Sequence, residues 1–183
     1  AIATGILASG TEVATIVNDG LVDVTAAAFT SNASADAVAV GIISGSLVPT
    51  LENTGTIFVD ASAEVVGTGN AAATATGVQI LGGGDVVLDF ENSNLISANA
   101  SALANNSATA TAVGVSVLAS GGALTGNLLN IGRIEASAAA ATQSGLTIAG
   151  SANAIGISVS NCDIDCAITN TGEIVVAASG QSG

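Results

Sequence analysis

The sequence predicts an all-β fold, a parallel β-solenoid of about five coils of 36–42 residues, from three observations. First, a strand-like stretch with strict alternation of apolar or small residues recurs five times, most cleanly at Leu51-Glu52-Asn53-Thr54-Gly55-Thr56-Ile57-Phe58-Val59-Asp60-Ala61. Second, each copy follows a Gly motif, of which Ala39-Val40-Gly41-Ile42 and Ala112-Val113-Gly114-Val115 are examples. Third, the motif glycines Gly5, Gly41, Gly77, Gly114 and Gly156 lie 36, 36, 37 and 42 residues apart, a period that means a solenoid, propeller or array. Propeller blades are antiparallel and usually carry aromatic signatures. Here like residues recur at like points of each unit, as expected when coils stack in parallel ladders.

The columns follow from superposing the copies. An Asn stands at Asn18, Asn53, Asn92, Asn130 and Asn170, preceded two residues earlier by Ile16, Leu51, Phe90, Leu128 or Ile168. Two residues after each Asn stands Gly20, Gly55, Asn94, Gly132 or Gly172, types that accept positive φ and suit a corner. Val22, Ile57, Ile96, Ile134 and Ile174 follow, then a Val or Ala column, then Ala26, Ala61, Ala100, Ala138 and Ala178. The alternation puts Asn on the inward phase beside the bulky residues, so the Asn column is expected to hydrogen-bond along the solenoid axis rather than to face a ligand. Across each motif Gly the Ala phase and the Ile/Val phase differ by one residue, which predicts a bulge or bend.

All 183 residues form one expected domain, with repeats at about 3–38, 39–74, 75–111, 112–153 and 154–183. The first opens directly on Gly5-Ile6, as a mature product or an excised fragment does. The second holds the only proline, Pro49, at a strand start where its missing N–H is tolerable. In the third, Gly82-Gly83-Gly84-Asp85 reads as a tight corner, with no Lys to make it a phosphate cradle. The fourth is lengthened around Thr142 to Ser151, an expected loop on one edge. Thr74, Thr76, Thr109 and Thr111 would make a short outward threonine array across neighbouring repeats, read as ordinary β-propensity. The fifth carries Cys162 and Cys166, the only cysteines, which read as a local disulfide; a metal site would need further soft ligands.

Charge narrows the function. Arg133 is the only basic residue, His and Lys are absent, and the net charge is −13, which excludes nucleic acid as a partner. The acidic side chains are expected to keep an apolar, edge-bearing solenoid in solution. No cofactor is expected; the one ion with a route to binding is calcium, between Asp85 and Asp89 or between Asp163 and Asp165, although no Gly-Gly-x-Gly-x-Asp repeat is present. The uncharged stretch from Asn92 to Gly132 is interrupted too often by Ser, Thr, Asn and Gly to be a membrane helix. Without His or Lys, and without Tyr or Trp to line sugar subsites, the chain reads as a non-enzyme.

Asn-Thr-Gly-Thr-Ile, Asn-Thr-Gly-Glu-Ile and the Ala-Gly-Ile/Val motifs resemble the repeats of bacterial autotransporter-type passenger domains and related β-strand-repeat surface proteins, over essentially the whole chain. The resemblance implies export to the cell surface, a right-handed β-helix, and a role in adhesion or a structural coat. The family's C-terminal membrane barrel and capping segment are not found within these 183 residues, as expected of a passenger released from its barrel or of a subunit that polymerises. The chain contains a nearly whole number of coils, so each end is expected to expose long unpaired strand edges. The leading expectation is a non-enzymatic extracellular subunit that stacks head to tail on itself into a surface fibre or sheath. The alternative is an adhesin segment that binds a host or cell-surface ligand through its lateral face or loops.

Overall fold

The structure is a computed structural model and describes residues 1–12, 15–47, 50–143 and 150–182, with the side chains of residues 9–12, 43–47, 162–164 and 182 left out of that description. Every described element is a strand, and all pair in parallel. The first sheet stacks β1 (Ile2–Glu12), β4 (Ala35–Leu47), β7 (Asn70–Gly82), β10 (Ser107–Ala119) and β13 (Ser151–Ser160). The second stacks β2 (Ile16–Asn18), β5 (Leu51–Asn53), β8 (Val86–Asn92), β11 (Leu124–Asn130) and β14 (Cys162–Asn170). The third stacks β3 (Leu21–Thr30), β6 (Thr56–Val65), β9 (Leu95–Ala104), β12 (Arg133–Thr142) and β15 (Glu173–Ser182). Successive strands visit the three sheets in turn, so each repeat is one coil. From β1 to β13 the chain makes four full turns, and β14 and β15 carry it two sides further. The expected five coils are thus five rungs.

The columns read from the sequence are register columns. Ile57 pairs with Ile96, Ile96 with Ile134, and Ile134 with Ile174; Ala61, Ala100, Ala138 and Ala178 align likewise. Inward positions of the middle rungs are sealed: Leu51, Phe90, Ile57, Ile96 and Ile134 have no exposed surface. The first and third sheets pack face to face, with the second closing the side. Because many inward residues of the first sheet are Ala or Gly, the long side chains of the third sheet have room to reach it.

At the motif glycines the inward phase switches, as expected. Along β7, Ala71, Ala73 and Ala75 are buried before the bend, and Val78 and Ile80 after it. The space around Gly41 shows why no side chain serves: a Cβ there would lie 2.6 Å from the Cγ2 methyl of Ile57 and 2.5 Å from the carbonyl oxygen of Gly77. Gly77, Gly114 and Gly156 face Ile96, Ile134 and Ile174 in the same way. The isoleucine column of one sheet therefore seats on the glycine column of the other.

The corner glycines correct the sequence reading. None of Gly20, Gly55, Asn94, Gly132 and Gly172 has positive φ; among the described residues only Gly126 (φ 101°) and Asn161 (φ 61°) do. Proximity between coils takes the place of conformational freedom. A Cβ on Gly55 would run into the Gly20 carbonyl, one on Gly132 into that of Asn94, and one on Gly172 into that of Gly132. Gly20, on the first rung, would meet nothing.

Other expectations are refined. Gly83 and Gly84 lie in an open corner where a Cβ would meet nothing within 4 Å. Thr74 and Thr111 are register partners, but Thr109 pairs with Ala72, and Thr76 is buried opposite Val113, so the four threonines form no continuous array. Ser97 is on the outward phase, yet it sits in register between the larger Phe58 and Glu135 and is buried. Pro49 and most of the lengthened loop lie outside the described residues.

Candidate functional site

The most organised chemistry in the chain is the Asn column at the turn from the second sheet to the third. Asn18 Nδ2 donates to Asn53 Oδ1 (2.7 Å), Asn53 to Asn92 (2.7 Å), Asn92 to Asn130 (2.7 Å) and Asn130 to Asn170 (2.6 Å). Each donating Nδ2 also points at a backbone carbonyl of the next rung, for example Thr56 from Asn18 (3.3 Å) and Glu173 from Asn130 (3.4 Å). A carbonyl only accepts, so these contacts fix which end of each amide is nitrogen. Asn53, Asn92 and Asn130 are fully buried, which makes their pairing obligatory.

The backbone at the same turn runs the other way. Thr54 N–H and Gly55 N–H both donate to the Asn18 carbonyl (2.9 and 2.8 Å), and Ile131 and Gly132 donate to that of Asn92 (2.8 and 2.9 Å). Thr171 and Gly172 donate to the Asn130 carbonyl in turn (2.9 and 3.0 Å). Each rung junction is thus reciprocal, with side chains donating forward and backbone donating back. The close approach that excludes a Cβ at Gly55, Gly132 and Gly172 belongs to this junction.

The two ends of the stack differ. At the fifth rung the interior columns are uncovered: Ile168 is 50% exposed, Val176 52%, and Asn170 is exposed. Their first-rung counterparts Ile16, Asn18 and Val24 are buried. A Cβ on Gly5, Gly41, Gly77 or Gly114 would meet the carbonyl of the glycine one rung on, whereas Gly156 has none to meet.

Outward carboxylates dominate the flanks. Glu52 and Glu91 are register neighbours, with Asp89 beside them around a shallow depression that includes Thr50. Asp85 lies at the preceding corner, where its Oδ1 accepts from the Ala123 N–H (3.0 Å), so the expected Asp85 and Asp89 calcium pair is occupied at one end in holding the next rung. Among the described residues no group of three or more His, Cys, Asp or Glu is placed to hold a metal ion. Of the other pair, Asp165 is exposed and the side chain of Asp163 lies outside the described ones. Arg133 bridges Glu135 (2.5 Å) and Glu173 (3.3 Å), one on its own rung and one on the next.

Cys166 is disulfide-bonded. The chain's other cysteine, Cys162, has its side chain outside the described ones. The backbone register explains how two cysteines four apart come near enough: Leu124 pairs with Cys162 and Gly126 with Cys166, so a bulge in β14 absorbs two residues. The two backbones are then about two strand positions apart, roughly 6.6 Å, inside the usual reach of a disulfide. Sequence reasoning missed both the bulge and Gly126, whose Cβ would strike the Leu88 carbonyl. On the chain-entropy account, Cys166→Ser lowers the unfolding free energy by about 2 kcal/mol. Denaturant midpoints with and without reductant check this; equal midpoints for the wild type under both conditions contradict it.

No family model matches the chain, and neither a curated protein nor a solved structure matches it. No described helix is long and apolar enough to cross a membrane.

Proposed function

We propose that the chain is a non-enzymatic extracellular structural protein whose solenoid stacks head to tail with further copies into a surface fibre or sheath. The observation that carries this reading is the repetition of the rung itself: every rung presents the next with the same columns in register, a bulky apolar residue, Asn, a β-branched residue and Val or Ala, so a further rung of like sequence continues the stack. An uncovered parallel edge with apolar interior columns is a template for one more rung. A second copy supplies one with matching column chemistry, since Ile16, Asn18, Val22 and Val24 occupy the register of Ile168, Asn170, Ile174 and Val176.

The rest of the chemistry fits a passive scaffold. The one basic side chain is engaged by two glutamates, and the Asn column is spent on holding rungs together. A disulfide at Cys166 fits an oxidising compartment. The autotransporter-like repeats fit a surface location and a right-handed coil. Outward carboxylates leave the flanks hydrated, while a net charge of −13 on every copy opposes association at low salt.

Negative-stain electron microscopy of the purified chain at neutral pH, at low and at physiological ionic strength and with and without millimolar calcium, tests the reading. The expected result is unbranched filaments that form faster as salt screens the charge. Monodisperse short particles under all conditions overturn it and favour an adhesin segment with a lateral ligand. Filaments only with calcium assign the carboxylates a role in assembly.

A further inference from the structure

We propose that the outer face of the first sheet is the surface against which a second copy of this chain packs side by side, sheet on sheet. The contact is lateral, so it stands or falls independently of head-to-tail stacking. Charge singles the face out. The strands of the second sheet carry five carboxylates and those of the third another five, against Glu12 and Asp36 alone on the first. β7, β10 and β13 have no charged residue at all. Two copies at −13 each repel through their acidic flanks, and a carboxylate set against a carboxylate has no hydrogen bond to make. The outer face of the first sheet is where that repulsion is weakest.

The face also has apolar surface to bury and polar groups to pair. Leu81 and Leu118 are register partners, 37% and 39% exposed, and Val38, Val113 and Ile155 are half-buried on the outward phase. Val40 and Thr76, register partners just before the motif glycines, fall to 7% and 5% and form a crease there. Among the described residues none hydrogen-bonds the Thr76 hydroxyl. Around the crease stand Thr74, Thr111, Gln79 and Ser116. Hydroxyls and amides both donate and accept, so such a surface is complementary to another copy of itself, whereas a cationic partner is drawn to the second and third sheets. The size suffices. Strands of 13 residues and five rungs span about 43 by 24 Å, or about 1,000 Å². A standard interface takes about 800 Å² from each partner.

Sedimentation of the full chain at physiological ionic strength, read with filament width in electron micrographs, tests the proposal. The wild type is expected to pair reversibly, and any filaments to be two solenoids wide. Gln79→Glu, near-isosteric, and Thr111→Asp each put a charge on the face. Both are expected to raise the dissociation constant by about tenfold or more and to leave filaments one solenoid wide. Asn99→Asp, an equally conservative change on the outward phase of the third sheet, is expected to shift it by about threefold at most. Urea midpoints of the variants confirm folding, and Gln79→Glu decides the matter if Thr111→Asp fails to fold. Equal weakening by Gln79→Glu and Asn99→Asp means that net charge governs pairing and overturns the proposal. A monomeric wild type with filaments one solenoid wide overturns it and leaves stacking intact, whereas pairs that never lengthen support it and overturn stacking. A monomer that floats with zwitterionic lipid vesicles assigns the face to a membrane surface and overturns the second copy.

Discussion

Asn92→Ala is expected to destabilise the chain by about 2–5 kcal/mol, a large share of the ~5–15 kcal/mol that holds a typical domain folded. The substitution removes one side chain but strands two others. Asn53 Nδ2 loses its side-chain acceptor and keeps only the long contact to the Leu95 carbonyl (3.5 Å), Asn130 Oδ1 loses its donor, and both amides are fully buried. An unsatisfied buried polar group costs about 1–3 kcal/mol, so the loss exceeds that of an ordinary hydrogen bond. Asn92→Asp costs at least as much, because a carboxylate can accept from Asn53 yet sets oxygen against the Asn130 Oδ1 and buries a charge. Asn170→Ala, at the exposed end of the same ladder, is expected to cost about 1 kcal/mol or less. Urea midpoints of the three variants check the series; equal costs at positions 92 and 170 contradict an obligatory ladder.

Gly114→Ala has the second large effect. The added methyl would be driven against the Ile134 side chain and would lie 2.6 Å from the Gly156 carbonyl, so either the isoleucine column or the strand ladder must move. Overpacking of this kind costs about 1–3 kcal/mol, and the clash with backbone puts this case toward the upper figure. Ile134→Ala in the same chain relieves the side-chain part only, so the double variant recovers part of the added methyl's cost rather than all of it. Gly83→Ala, in an open corner, is expected to stay within about 0.5 kcal/mol of wild type. A comparable loss at Gly83 would mean that backbone freedom, and not space, selects glycine in this chain.

Those two positions show how far the sequence could be read. Stacking in register places residues of one type above one another, so the Asn, Ile, Ala and Gly columns were legible as spacing alone, and with them the strand faces and the coil length. The inward place of Asn53, Asn92 and Asn130 followed from the alternation. The reason for glycine at 55, 132 and 172 did not follow, because it lies in the carbonyl of another coil, and a linear pattern shows the residue without showing what presses on it. Gly126 and Asn161, which do take positive φ, have no counterparts in the other repeats and so left no periodic trace. The bulge between Cys162 and Cys166 is a register shift against β11, a property of two strands that neither carries alone. The polarity of the ends was likewise hidden. It depends on the sense of each amide, although the presence of Asn in every rung was plain.

The account's central claim is that the rung repeat continues from copy to copy, and fibre diffraction from aligned material tests it most directly. Five rungs at a parallel strand spacing of about 4.8 Å predict a strong meridional reflection at that spacing and a weaker axial repeat near 24 Å per copy. Diffraction with the 4.8 Å spacing but no repeat near 24 Å, or strands lying along the fibre instead of across it, would contradict head-to-tail stacking of this solenoid.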